Sequence, residues 1–248
     1  MLLLIPAIDL RGGHCVRLHQ GRYDHETVYE PDPVAMALSW QRQRAAWLHV
    51  VDLDAARGGS EDRAHNRMEV AGICAALNIP VQIGGGIRTL EDIQAVLALG
   101  AARVVLGTSA VQDPDMIAEA VAHFSAERIV AGIDARSGEV RTQGWTQGSG
   151  VDAIDLAQDM ERRGVRRIVY TDITRDGTMQ GPNLAAYRAL GRHLHAASVT
   201  ASGGVGSYRD LAALSRLQAY RVDSVIVGRS LYEGRFPCQQ LWNAHTKP

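Results

Sequence analysis

Hydrophobic and polar positions along this chain alternate between two regimes. Short runs rich in aliphatic and β-branched residues are separated by longer stretches with a helical period. The runs predict strands near Leu2–Ile8, Leu48–Leu53, Pro80–Ile83, Arg103–Leu106, Arg128–Ile133, Arg166–Thr171, Ser198–Ala201 and Ser224–Val227. Helices are predicted between them, among them Pro33–Ala46, Leu90–Leu99, Pro114–His123, Val151–Arg163 and Tyr208–Leu217. Eight strands with about eight helices predict the α/β class and a closed (β/α)8 TIM barrel. A doubly wound open sheet is the alternative.

The pattern then repeats itself. IPAIDLRGGHCVR from Ile5 resembles VAGIDARSGEVRTQG from Val130, and LHVVDLDAARGG from Leu48 resembles IVYTDITRDGT from Ile168. The long segment from Val81 to Ala110 resembles the one from Val199 to Leu231, including their GG and G[TR]S ends. The repeat of about 120 residues is far longer than a solenoid period. It predicts two fused half-barrels, about 1–125 and 126–248, and favours closure over the open sheet. No linker-like stretch divides them, so one barrel domain over 1–248 is expected, a usual size for this architecture.

Composition narrows the chemistry. Hydrophobic content of 46%, charged content of 21% and a net charge of -1 describe an ordinary soluble protein with no general attraction to nucleic acid or anionic membranes. No apolar run approaches the roughly 20 residues that span a bilayer, and MLLLIPAIDL lacks the basic segment of a signal peptide. Cys15, Cys74 and Cys238 form no CxxC pair, so neither a disulfide framework nor a zinc site is expected, and the cytoplasm is the expected compartment. Lys247 is the only lysine, which excludes Schiff-base catalysis by a buried amine. Histidines such as His14, His19, His49 and His65 are scattered and are expected at the surface or satisfied internally. No metal and no organic cofactor is expected, since GGGIR is not a dinucleotide fingerprint.

Working residues in such barrels sit where strands end and βα loops begin. Asp9 and Asp134 close the first and fifth strands, which stand opposite each other in an eight-membered ring. Either one alone would suit a helix cap; as a repeat-related pair they suit a general acid and a general base. Asp52 and Asp172 are a second such pair, expected in a structural role. Gly84-Gly85-Gly86 and Gly107-Thr108-Ser109 follow the third and fourth strands, while Ser202-Gly203-Gly204 and Gly228-Arg229-Ser230 follow the seventh and eighth. Glycine-rich strand ends can hold phosphate, as the last two strands of barrels often do. Two symmetry-related clamps point to a small molecule with a phosphate at each end. Long loops at 10–32 and 135–150, the second carrying Trp145, are expected to cover it.

Taken together, IPAIDLRGG, VVDLDAA, QIGGGIR, GIDARSG…GW, TDITRDGT.QGPN, SGGV and VIVGRSLYEG resemble the ProFAR isomerase family of histidine biosynthesis, from about Leu3 to Gly234. The resemblance implies a cofactor-independent aldose-ketose isomerase that converts the aminoaldose ProFAR to the aminoketose PRFAR by an Amadori rearrangement. It implies that Asp9 is the base removing the C2 proton and Asp134 the acid that opens the furanose. Thr171 and Asp176 match residues assisting position and closure, Trp145 an aromatic that packs on the imidazole carboxamide, and Arg88 a substrate-binding arginine. A monomer without an obligate protein partner is expected. Three rivals stand beside this reading. A bifunctional enzyme would also isomerise phosphoribosylanthranilate. The cyclase subunit of imidazole glycerol phosphate synthase usually has Cys where this chain has Ala7 before Ile8-Asp9. A non-catalytic phosphosugar-binding module would be expected to lose an aspartate.

Overall fold

The computed structural model describes residues 2–19, 22–30, 32–58 and 63–238. Its strands are β1 (Leu3–Arg11), β2 (His14–His19), β3 (Arg22–Glu30), β4 (Leu48–Asp52), β5 (Val81–Gly84), β6 (Arg103–Leu106), β7 (Ile129–Arg136), β8 (Glu139–Thr142), β9 (Gln147–Asp152), β10 (Arg167–Asp172), β11 (Ser198–Ser202) and β12 (Val222–Val227). Eight of them, β1, β4, β5, β6, β7, β10, β11 and β12, pair in parallel, and the β7–β10 and β12–β1 pairings close the ring. The expected barrel is therefore closed, with helices in the crossovers.

The helices start where local chemistry satisfies their first amides. Asp32 caps Pro33–Arg42, Thr89 caps Leu90–Ala98, Asp113 caps Pro114–Phe124 and Ser207 caps Tyr208–Ser215, each accepting from a backbone N–H in the first turn. Val151 belongs to β9, and the helix expected to begin there starts at Ala153 behind its Asp152 cap.

The two long loops are antiparallel ribbons. β2 pairs with β1 and β3, and β8 pairs with β7 and β9. Because the ribbons supply partners above the barrel mouth, β1 runs on to Arg11 and β7 to Arg136, beyond the strand ends expected from hydrophobicity. Residues 20, 21 and 31 of the first segment lie outside the described residues.

Two apolar regions hold the barrel. Between strands and helices, Ile8, Leu10, Leu48, Val50, Ile73, Val104, Ile133 and Leu190 are buried to within 3% exposure. Each such side chain contributes about 1.5–3 kcal/mol by leaving water. Inside the ring a smaller cluster joins Ile5, Ala7, Val130, Val169 and Ile226.

Side chains two apart along a strand share a face, and in-register neighbours share a level. The pairing therefore stacks inward-facing rows. One row runs Ala7, His49, Gln82, Arg103 in the first half, and its equivalent runs Gly132, Val169, Thr200, Ser224 in the second. The row above runs Asp9, Val51, Gly84, Val105, and its equivalent runs Asp134, Thr171, Ser202, Ile226. Both aspartates thus sit at the same level on opposite sides of the ring.

Candidate active site

A cavity of about 250 Å³ opens at the C-terminal ends of the barrel strands. It is lined by Asp9, Asp134, Thr171, Asp176 and Trp145 together with Gly85, Gly86, Arg88, Gly107 and Thr108 on one side and Ser202, Gly203, Gly204, Gly228, Arg229 and Ser230 on the other. Of the residues expected in the sequence to be catalytic or substrate-binding, Ser109 alone is absent from the lining.

Asp134 is the best-defined acid. Burial pushes its carboxyl pKa up, while hydrogen bonds from the Trp145 and Thr171 side chains act in the opposite direction. A carboxyl that holds its proton above the usual range suits a proton donor. Thr171 reaches it because the two residues are in register on adjacent strands. Trp145 reaches it from the turn between β8 and β9, where Gln143, Gly144 and Trp145 all have positive φ, the tryptophan at 71°. A bulky residue in the left-handed region is strained, and such strain concentrates at functional sites. Asp9 faces the cavity from β1, beside Val51.

The glycine clamps have a structural reason of their own. A Cβ on Gly85 would stand 2.2 Å from the Asp52 carbonyl oxygen, and one on Gly203 would stand 3.0 Å from that of Asp172. What these glycines approach closely is therefore the preceding βα loop of the same chain. Their backbone amides remain the groups that can face a ligand.

The serines of the clamps are braces. Ser109 Oγ donates to the Ile87 carbonyl at 3.0 Å, and Ser230 Oγ donates to that of Val205, so each G[TR]S loop is tied to the GG loop beside it. The preceding glycines, Gly107 (φ -98°, ψ -85°) and Gly228 (φ -110°, ψ -94°), share one conformation, and neither helix they open has a side-chain cap. Arg229 is held by Glu233 Oε1 at 2.6 Å and donates to the Gly177 carbonyl at 2.7 Å; the amide of Gln143 donates to Thr108 Oγ1 at 3.1 Å. Each clamp thus grips a loop that carries cavity residues.

Asp52 and Asp172 stand off the cavity. Asp52 accepts from the Ala55 amide and from Asn66 Nδ2, and Asp172 accepts from the Thr174 amide and hydroxyl and from Asn183 Nδ2. Both order the loop above their strand.

Sequence reasoning missed several lining residues, notably His49, Arg141, Gln143 and Met179. His14 and His65 are exposed, but His49 is 8% exposed and forms part of the cavity wall. A lone histidine in an apolar strand gives no spacing signal; only the strand register brings it beside Gln82. The side chain of His19 lies outside the described residues. Among the described residues no group of three or more His, Cys, Asp or Glu side chains is placed to hold a metal ion. No helix among them is long and apolar enough to cross a membrane.

Comparison with known proteins agrees with the geometry. Residues 3–237 match the family described as histidine biosynthesis protein. A protein of Salinibacter ruber is 63% identical over 242 residues, covering 98% of this chain and 93% of its own. Proteins of Prosthecochloris aestuarii and Moorella thermoacetica are each 49% identical, over 248 and 239 residues, covering 99% and 96% of this chain and 93% and 96% of theirs. All three are named 1-(5-phosphoribosyl)-5-((5-phosphoribosylamino)methylideneamino)imidazole-4-carboxamide isomerase. The chain belongs to the histidine biosynthesis protein family.

Proposed function

We propose that this protein isomerises the aminoaldose ProFAR to the aminoketose PRFAR, with Asp9 as general base and Asp134 as general acid. The observation that carries the reading is the pair of register-equivalent aspartates at one level across a single cavity, with a glycine clamp at each end. Near-full-length identity to relatives bearing the isomerase name supports it.

The raised pKa of Asp134 keeps a proton available to the furanose oxygen, and the Thr171 and Trp145 donors hold the carboxylate left after transfer. Ring opening leaves an iminium at C1, which acidifies the C2 proton for Asp9 to remove. Asp176 completes the wall on the acid's side, and the Trp145 ring offers a surface for the imidazole carboxamide. One phosphate lies against Gly85, Gly86, Arg88, Gly107 and Thr108, the other against Ser202, Gly203, Gly204, Gly228 and Arg229. Ser109 and Ser230 contribute backbone amides rather than hydroxyls, because their hydroxyls are already committed.

Both aspartates and both glycine clamps come from one barrel, so the proposed chemistry on a small molecule needs no residue from another chain. Cys15, Cys74 and Cys238 form no disulfide among the described residues, which supports the cytoplasm as its compartment. The deciding experiment is a steady-state assay of purified protein with ProFAR and, in parallel, phosphoribosylanthranilate. Turnover of ProFAR is expected; a protein that bound it and left it unchanged would be a binding module, and the proposal would fall.

A further inference from the structure

We propose that His49 is a neutral hydrogen-bond donor to the C2 oxygen of the substrate, and that Gln82 and Arg103 are positioning residues that lock its protonation state. The inference rests on the isomerase reading above. It begins with a chain of hydrogen bonds along one register row. Arg103 Nε donates to Gln82 Oε1 at 2.8 Å, and Gln82 Nε2 lies 2.8 Å from His49 Nδ1. A guanidinium has only donors, so it fixes which end of the Gln82 amide is oxygen. The NH2 end is thereby turned to His49, whose Nδ1 must present a lone pair. The ring proton then resides on Nε2, and His49 is the neutral Nε2–H tautomer.

The lock resists both ways of undoing it. Protonating Nδ1 would set two N–H groups head to head, and flipping the Gln82 amide would set its NH2 against the guanidinium. Gln82 is fully buried, so no water is at hand to mediate either conflict. Arg103 is itself anchored over the Trp47 ring, 3.9 Å from its centroid. Among the described residues, the charged groups that share the cavity with His49 are Asp9, Arg88, Asp134, Arg141, Asp176 and Arg229, with Arg103 behind Gln82; Arg167 and Asp223 lie near Arg103.

The second half shows that the barrel does not need this chain to close. At the equivalent positions Val169, Thr200 and Ser224 make the same row with a plain hydroxyl pair, Thr200 Oγ1 to Ser224 Oγ at 2.7 Å. The histidine chain exists only in the half that carries Asp9. The hydrogen-bonding atom His49 can offer the cavity is Nε2–H, one level below Asp9.

The chemistry gives such a donor a use. When Asp9 takes the C2 proton, the C–H electron pair forms the C1–C2 double bond and the iminium pair withdraws onto nitrogen. The protonated Asp9 then returns its proton to C1 while the C2 hydroxyl gives up its own, through solvent, to the Asp134 carboxylate, so that the carbonyl of the ketose forms and both carboxyls are restored. A donor fixed at the C2 oxygen stabilises the negative charge that develops there. Because its proton is on the cavity side, it cannot compete with Asp9 as a base.

The test uses the full chain labelled with ¹⁵N-histidine, read by imidazole nitrogen shifts between about pH 5.5 and 9, alongside kcat and KM for ProFAR. The wild type is expected to show His49 with a lone-pair Nδ1 and a protonated Nε2, unchanged across the range. Gln82→Glu accepts from Arg103 and also from an Nδ1–H, so it should move a proton onto Nδ1 and lower kcat about 10–100-fold with KM changed less than about threefold. Gln82→Met, which keeps the volume but removes the lock, should let His49 titrate and add a pH dependence to kcat near about 6.5. This variant decides the matter if Gln82→Glu does not fold. A wild-type His49 that carries its proton on Nδ1 or titrates freely would overturn the inference, as would a shifted proton with unchanged kcat. A wild type that fails to turn over ProFAR would instead sink the isomerase reading, and the donor role with it.

Discussion

The two halves of the barrel share a frame and differ at the mouth. Asp52 with Asn66 and Asp172 with Asn183 order equivalent loops; Ser109 on Ile87 and Ser230 on Val205 tie equivalent clamps. Around the aspartates the halves part company. Asp9 has Val51 beside it and His49 one level down, whereas Asp134 has Thr171 beside it and Val169 below. Two identical carboxyls are thus placed in unlike surroundings, and Asp134 receives hydrogen bonds from a neighbouring threonine and a tryptophan. The repeat places two carboxyls at matched positions, and the residues that differ around them are suited to dividing the proposed labour between acid and base.

The largest effects should come from removing either carboxyl. Asp9→Asn and Asp134→Asn are each expected to lower kcat for ProFAR by about 10²–10⁴-fold or more, with circular dichroism unchanged. Near-normal turnover in one of them would remove that residue from the acid-base pair. The stability of the Asp134 variant should also change with pH. Burial raises the Asp134 pKa, so the folded state holds this proton more tightly than the unfolded chain does. The resulting stabilisation is present below the unfolded carboxyl range, about pH 3.9, and is lost as pH rises through the folded pKa. Asp134→Asn should therefore melt higher than wild type near about pH 7–8, with the advantage shrinking toward about pH 3. An Asp134→Asn protein that melts lower than wild type at neutral pH would contradict the buried-carboxyl account.

An intermediate effect is expected from copying the first half into the second. Thr171→Val takes a donor away from Asp134, so its pKa should rise further and the alkaline limb of the kcat profile should move to higher pH. We expect kcat to fall by about 10-fold, within the range for one hydrogen bond to a charged group. A limb that stays put would show that Thr171 does not tune the acid.

The smallest effects test the shared frame. Ser109→Ala and Ser230→Ala each leave a carbonyl without its side-chain donor, at a cost of about 1–3 kcal/mol in urea unfolding. The two costs should agree within about 1 kcal/mol. A brace that matters in one half only would break the symmetry.

Much of this was legible in the sequence, for physical reasons that also mark the limits. Buried parallel strands are near-continuous apolar runs, so all eight were visible, with ends shifted by a few residues where β1 and β7 gain partners from the ribbons. The ribbons themselves read as loops because their strands are short, polar and outside the core, as in EVRT of β8 and QGSGVD of β9. Asp9 and Asp134 were visible because the repeat doubled the signal. His49 was hidden because its partners, Gln82 and Arg103, are 33 and 54 positions away and meet it only through register. The hydroxyl bonds of Ser109 and Ser230 to the neighbouring loop were not legible, because their carbonyl partners, Ile87 and Val205, are 22 and 25 positions away.

The barrel floor carries a consequence of another kind. Beneath the cavity, Arg103 and the Arg167 guanidinium share one nearby carboxylate, that of Asp223, which binds Arg167 at 2.6 and 2.8 Å. Desolvation lowers the Arg103 pKa to about 10, still well above neutrality, so both cations persist. Two cations against one carboxylate leave the barrel floor net positive; Arg103 is its buried member, whereas the Arg167 and Asp223 side chains are 23% and 43% exposed. Added salt will weaken the capture of a phosphorylated ligand at the open mouth more than it weakens the pull of the buried Arg103 on an anion already seated.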